Sequence, residues 1–128
     1  MKLLLDTHSL LWFLDGDAAL SPIAREVIED TENELFLSVA SLWELAIKIS
    51  VGKLALGRPF GELIPEQLAA MGIVVVDVSL QHLTRVIELP WHHRDPFDRL
   101  IVAQALVDDL PVVGRDAALD AYGIQRIW

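Results

Sequence analysis

An α/β fold, built on a mostly parallel central sheet of about five strands and forming one domain over residues 1–128, is the architecture this sequence predicts. Three observations carry that expectation. Short apolar runs of strand length alternate with helical stretches along the whole chain. The run Lys2–Asp6 (KLLLD) is nearly continuous in apolar residues, as strands covered on both faces are, and Ile73–Val78 (IVVVDV) is β-branched, as strands commonly are. The chain has 128 residues, 53% of them hydrophobic, enough to bury roughly two thirds of the surface exposed when unfolded.

The elements follow in order. Lys2–Asp6 reads as a buried strand that ends in a carboxylate. Ser9–Leu14 is a short helix stopped by Asp15-Gly16-Asp17. Ser21-Pro22 supplies an N-cap with proline at the first helical position, and the helix Ile23–Asp30 follows. Glu34–Ser38 (ELFLS) is the second strand. Ser41 and Glu44 stand at capping-box spacing, which predicts a helix opening there and running to about Val51-Gly52. Pro59–Met71 is helical and closed by Gly72. Ile73–Val78 is the third strand, and Ser79–Leu89 is a helix halted by Pro90. Asp95-Pro96 caps the apolar helix Phe97–Val107. Pro111–Gly114 is the fourth strand, Asp116–Tyr122 a short helix ended by Gly123, and Ile124–Trp128 the last strand.

Composition removes several function classes. There is no cysteine, hence no disulfide framework and no zinc–thiolate site. No apolar run approaches the roughly 18–20 residues that span a bilayer, and the three leucines between Lys2 and Asp6 are too few for a secretory leader. These features predict a cytoplasmic protein with no membrane contact. Ten Lys+Arg oppose nineteen Asp+Glu, a net charge of −9, whereas proteins that hold nucleic acid by charge alone are basic. If this chain acts on phosphates, a metal ion must supply the positive charge. One local exception is Leu45–Arg58, where Lys48, Lys53 and Arg58 are the only charged residues; they form either a solvated face or a contact strip for a polyanion.

Four acids fall where a parallel sheet places functional groups, at or beyond the carboxyl ends of strands. Asp6 follows the first strand and Asp116 the fourth. Glu44 lies on the helix after the second strand, and Asp98 on the first turn of the helix before the fourth. Each has a structural explanation as well: Glu44 in a capping box, Asp98 at a helix dipole, Asp6 and Asp116 as N-caps. Should they converge, two like charges 4 Å apart repel by about 4 kcal/mol at an effective dielectric near 20. Such a cluster then takes up protons or binds a cation. Oxygen ligands without cysteine select Mg²⁺ or Mn²⁺.

The segments LLLDTHSLLWFL (Leu3–Leu14), SVASLWELAIKISVGKL (Ser38–Leu54), HHRDPFDRLIVAQA (His92–Ala105) and RDAALDAYGI (Arg115–Ile124) resemble PIN-domain ribonucleases, most closely the toxin subunits of VapBC-type toxin–antitoxin pairs. The resemblance implies a PIN-like α/β/α sandwich and a Mg²⁺- or Mn²⁺-dependent endoribonuclease, with Asp6, Glu44, Asp98 and Asp116 as catalytic and metal-holding residues. It also implies an RNA substrate, a cognate antitoxin, a homodimer within a larger toxin–antitoxin assembly, and DNA contact only through the antitoxin. One departure stands out. Many family members carry Thr or Ser two residues before the last acid, where this chain has Gly114, and the hydroxyl that would orient a metal-bound water is missing.

Around these acids, Thr7 and Ser38 at strand ends can bond a carboxylate or merely stabilise a turn. Arg99 and Arg115 adjoin proposed ligands and can orient them, bind phosphate, or face solvent. Asp95 reads as a helix cap with a supporting role. Lys48 stands four residues after Glu44, in ion-pair order; Lys48, Lys53 and Arg58 are the substrate-binding candidates. His92 and His93 raise metal-free acid–base cleavage, but adjacent loop residues rarely face one site. Two other readings compete: a catalytically weak subunit acting through antitoxin binding and operon repression, and a receiver-type signalling domain. The second requires an acid after the third strand and a Lys after the fifth, and no such Lys precedes Trp128.

Overall fold

A computed structural model describes residues 1–128 in full. Five strands, β1 (Lys2–Leu5), β2 (Glu34–Ser38), β3 (Val74–Val76), β4 (Val112–Val113) and β5 (Arg126–Ile127), form one sheet in the order β3-β2-β1-β4-β5. Every pairing is parallel. The helices are α1 (Thr7–Asp15), α2 (Pro22–Glu29), α3 (Val39–Ser50), α4 (Phe60–Met71), α5 (Leu80–Glu88) and α6 (Pro96–Asp108), with a 3₁₀ turn at Ala117–Tyr122. No helix is long and apolar enough to cross a membrane. The strand order also disposes of the receiver-type reading, whose sheet runs 2-1-3-4-5.

The alternation within β1 builds the layers. Leu3 and Leu5 enter a core with Leu10, Leu20, Ala24 and Ile28 from α1, α2 and the turn between them. Leu4 points to the other face and packs with Ile101 and Ala105 of α6 and Val112 of β4. All three leucines are wholly buried, which is why β1 lacks the polar alternation of a half-exposed strand.

Two boundaries differ from the sequence reading in ways that bear on the site. α1 begins at Thr7, because the Asp6 carboxylate caps it by accepting the Ser9 N–H at 2.8 Å. α3 begins at Val39 instead of Ser41: Ser38 ends β2 and caps the next helix at once, its Oγ accepting the Ala40 N–H at 3.1 Å. The Ser41–Glu44 spacing is therefore not a capping box. Ser41 Oγ is buried without a partner, and Glu44, a full turn into the helix, is released from capping.

The order β3-β2-β1-β4-β5 also fixes where the chain can build a site. β1 lies between β2, which follows it in sequence, and β4, which follows the long excursion through α3–α6. At this reversal of strand order the connections leave in opposite directions and open a crevice beyond the carboxyl ends. Asp6 stands at its centre.

Candidate metal centre

Asp6, Asp98 and Asp116 line a depression of about 410 Å³, together with His8, Trp12 and Arg115. An adjoining hollow of about 270 Å³ is lined by Glu44, Lys48, Lys53, Asp95 and again His8 and Asp98. The four predicted acids are thus brought together at one edge. A larger depression of about 750 Å³ lies at the opposite edge, near the amino ends of β2 and β3. Its acids Glu29, Asp30 and Glu34 are exposed, so nothing there converges on a ligand.

Capping and site membership prove compatible, because a carboxylate has two oxygens. Asp6 Oδ1 takes the Ser9 N–H. Asp116 Oδ1 accepts the Ala118 N–H at 3.0 Å, starting the 3₁₀ turn. Asp6 Oδ2 is left without a hydrogen bond, and Asp116 Oδ2 is met by His93 Nε2. Asp98 is spared capping altogether: Asp95 accepts the N–H groups of Phe97 and Asp98 at 2.8 and 3.2 Å. Glu44 is held differently. Its Oε1 receives the Thr7 hydroxyl at 2.8 Å, and its Oε2 pairs with Lys48 at 3.1 Å, so its charge is already balanced.

The remaining supporting residues divide. Ser38 is occupied as the α3 cap. Arg115 reaches the depression, its guanidinium 5.9 Å from the Trp12 ring centre. Lys53 lines the adjoining hollow. Arg58 pairs with Glu66 on α4 and does not line either hollow. Arg99 is buried and turned away from the acids. It donates to the carbonyls of Val86, Leu89 and Pro90 and to Tyr122 Oη, and stacks 3.8 Å over Trp91. Its work is to hold the chain before α6.

That chain segment delivers a residue the sequence reading set aside. His93 Nε2 lies 3.0 Å from Asp116 Oδ2 and 3.4 Å from Asp98 Oδ2, while His92 packs edge-on against Tyr122. The rule that neighbouring loop residues face different ways holds; one of the pair still reaches the site.

Gly114 is fixed by its N–H to Ile127 and by Arg126 on its carbonyl. A β-carbon there would lie 2.6 Å from Asp6 Oδ2. The space a Thr or Ser side chain would occupy is filled by the Asp6 carboxylate.

Electrostatics agree with the crowding. Burial pushes Asp6 above the usual carboxylate range, with Glu44 adding to the rise against hydrogen bonds from Ser9. Asp98 is pushed up to about 6, first by burial and then by Asp95, with Glu44 and Asp6 contributing and His93 opposing. Acids in this condition favour a proton or a cation, and an all-oxygen donor set fits a hard divalent ion.

A family model described as PIN domain matches residues 3–125. Ribonuclease VapC16 of Mycobacterium tuberculosis (strain ATCC 25618 / H37Rv) is 33% identical over 58 residues, which cover 45% of this chain and 41% of that protein. The chain therefore matches about two fifths of that curated relative's length. DNA-bound VapBC from Salmonella typhimurium superposes with a TM-score of 0.73 at 19% identity, covering 98% of this chain and 96% of that one. VapBC2 from Rickettsia felis, bound to a DNA fragment from its promoter, gives 0.72 at 14% identity over 98% and 97%. These superpositions show the fold.

Two predictions follow from the charges. The folded Asp98 carboxyl binds its proton more tightly than the unfolded one, so protonation favours the folded state as pH falls from about 7 through 6 towards 3.8. In EDTA, Asp98→Asn is expected to raise Tm at pH 7.5, and its advantage over the parent to shrink towards pH 5. A lower Tm for the variant at pH 7.5, by scanning calorimetry, would contradict the assignment. Arg99→Met, which strips three carbonyls and a phenol of a buried donor, is expected to cost about 3 kcal/mol in urea denaturation; a loss under about 1 kcal/mol would show that the guanidinium does not hold this segment.

Proposed function

The chain belongs to the PIN-domain family, and from that membership we propose that it is a Mg²⁺- or Mn²⁺-dependent endoribonuclease acting as the toxin of a toxin–antitoxin pair. The carrying observation is the convergence of Asp6, Asp98 and Asp116 on one depression, with Asp6 and Asp98 raised first by burial and then by neighbouring acids, Glu44 for Asp6 and chiefly Asp95 for Asp98. These three acids would hold the ion, with Glu44 beside them. A divalent ion bound there supplies a water of lowered pKa and neutralises phosphate charge.

The chain's own groups do the rest. Ser9 and Ala118 N–H groups fix the rotations of Asp6 and Asp116. Thr7 and Lys48 immobilise Glu44, whose charge still contributes to raising Asp6 and Asp98. Lys53 at the adjoining hollow and Arg115 at the rim are placed to meet the backbone phosphates of a single strand, an attraction strongest at low salt. The catalytically weak alternative rested on the hydroxyl missing at Gly114. That alternative stands against the catalytic one, and RNA cleavage by the parent compared with Asp6→Asn separates them.

Partners are read the same way. An exposed apolar stripe, Val39, Trp43, Ile47 and Val51, runs along α3 beside Glu44 and suits an antitoxin segment laid across the site. VapBC complexes among the structural relatives support that reading. A second exposed stripe, Leu80, Leu83 and Ile87 on α5, suits a second copy of the chain.

The purified chain is expected to cut single-stranded RNA with Mg²⁺ or Mn²⁺ and to stop in EDTA. Asp6→Asn and Asp98→Asn should each lower the rate by at least about 100-fold, the upper end of what disturbing even a ligand's outer partners costs. Variants that cut as fast as the parent on a denaturing gel would end the catalytic reading. For the dimer, Leu83→Asp with Ile87→Asp is expected to yield a monomer by light scattering, with Tm little changed; an unaltered mass would remove α5 from the interface.

A further inference from the structure

His93 is the one side chain in the cluster whose protonation pattern the backbone dictates. The Asp95 N–H donates to His93 Nδ1 at 3.1 Å. A backbone N–H is always a donor, so Nδ1 must offer its lone pair, and the ring proton of the neutral imidazole sits on Nε2. That proton is donated to Asp116 Oδ2 at 3.0 Å, and Asp98 Oδ2 stands 3.4 Å from the same nitrogen. Those acids come from different elements, one beyond β4 and one on α6.

The ring's own position is built in. The His93 N–H donates to Tyr122 Oη at 2.8 Å, and Arg99 Nη1 reaches the same phenol at 3.3 Å. Arg99 in turn grips the carbonyls of Leu89 and Pro90 just before this loop. Asp95, whose N–H fixes the tautomer, is itself locked as the α6 cap. A loop held at both ends thus presents a single N–H to Asp116, next to Asp98.

By position alone, His93, Asp98 and Asp116 offer ligand atoms within 4.8 Å of one another, a set that invites reading the histidine as a nitrogen ligand. The hydrogen-bond pattern argues otherwise, because Nε2 carries a proton and Nδ1 is engaged by the backbone. We propose that His93 is a positioning residue: its Nε2–H holds the Asp116 carboxylate in place beside Asp98, and its committed Nδ1 keeps nitrogen out of the coordination, reserving the site for cations that favour oxygen. This rests on the divalent-ion reading of the cluster. Outer partners of metal-binding side chains of this kind typically matter by 10–100-fold in affinity.

Three measurements on the full chain test it. Long-range ¹H–¹⁵N correlation of the metal-free protein at pH 7.5 is expected to show His93 protonated at Nε2 and bare at Nδ1; the reverse tautomer overturns the proposal. Mn²⁺ titration followed by electron paramagnetic resonance is expected to show His93→Ala binding about tenfold or more weakly. His93→Gln, whose amide N–H can replace the donor, should recover most of the loss. Equal affinity in His93→Ala and parent overturns the positioning role. Pulsed resonance of Mn²⁺ on the parent is expected to show no directly bound ¹⁴N, and a bound nitrogen from His93 overturns the exclusion. If His93→Ala does not fold, the two measurements on the parent decide. A parent that binds no Mn²⁺ while keeping the expected tautomer removes the divalent-ion reading itself and the proposal with it, a result distinguishable from failure of the positioning role alone.

Discussion

The burial of carboxylates crowded at one edge of a parallel sheet, with their repulsion added to it, is the constraint around which the rest of this molecule is arranged. Asp6, Asp98 and Asp116 share a depression, and Asp6 and Asp98 are lifted above their ordinary range. Folding gains nothing from this crowding at neutral pH. The stability comes from elsewhere: from β1, whose three leucines are wholly buried against both helical layers, and from the α6 core. A site of this kind is tolerated because a rigid scaffold over-determines it.

The distribution of compensating groups is uneven, and the unevenness is informative. Glu44 is satisfied by Thr7 and Lys48, and Asp116 is exposed to water. Asp6 and Asp98 bear most of the desolvation. A cation entering the depression therefore relieves these two acids most. The same logic explains an acidic chain with an RNA substrate under the proposed function: attraction to phosphate is concentrated at Lys53, Arg115 and the ion, while the remaining surface stays negative.

Most of the fold was legible in the sequence because the local signals agree with one another. Ser21-Pro22, Gly16, Gly72, Asp95-Pro96 and Gly123 mark helix ends where the structure has them, and β2 falls on Glu34–Ser38. The Ser41–Glu44 spacing misled because it matches a capping box by offset alone, whereas Ser38 caps the helix one turn earlier. Arg99 looked useful because it adjoins Asp98. Successive helical residues, however, point about 100° apart, and that angle sends Arg99 into the carbonyls behind the loop. His93 was hidden for the opposite reason. Its placement depends on Tyr122, 29 residues away, and on a backbone N–H at Asp95, neither of which leaves a local pattern.

Gly114 shows how a departure from a family pattern is judged by geometry. Read as a sequence, it is a deletion of a hydroxyl. In the structure, β4 runs so close to the end of β1 that Asp6 N–H donates to Val113 O at 3.1 Å, and Asp6 Oδ2 sits where a β-carbon at 114 would be. A side chain there has to displace the carboxylate, which Ser9 holds by its other oxygen. Glycine at 114 thus leaves room for the Asp6 carboxylate beside β4, at the edge it shares with Asp98 and Asp116. His93, bonded to Asp116 and adjacent to Asp98, stands at the same edge, so the absent side chain at 114 and the imidazole act on one cluster of acids.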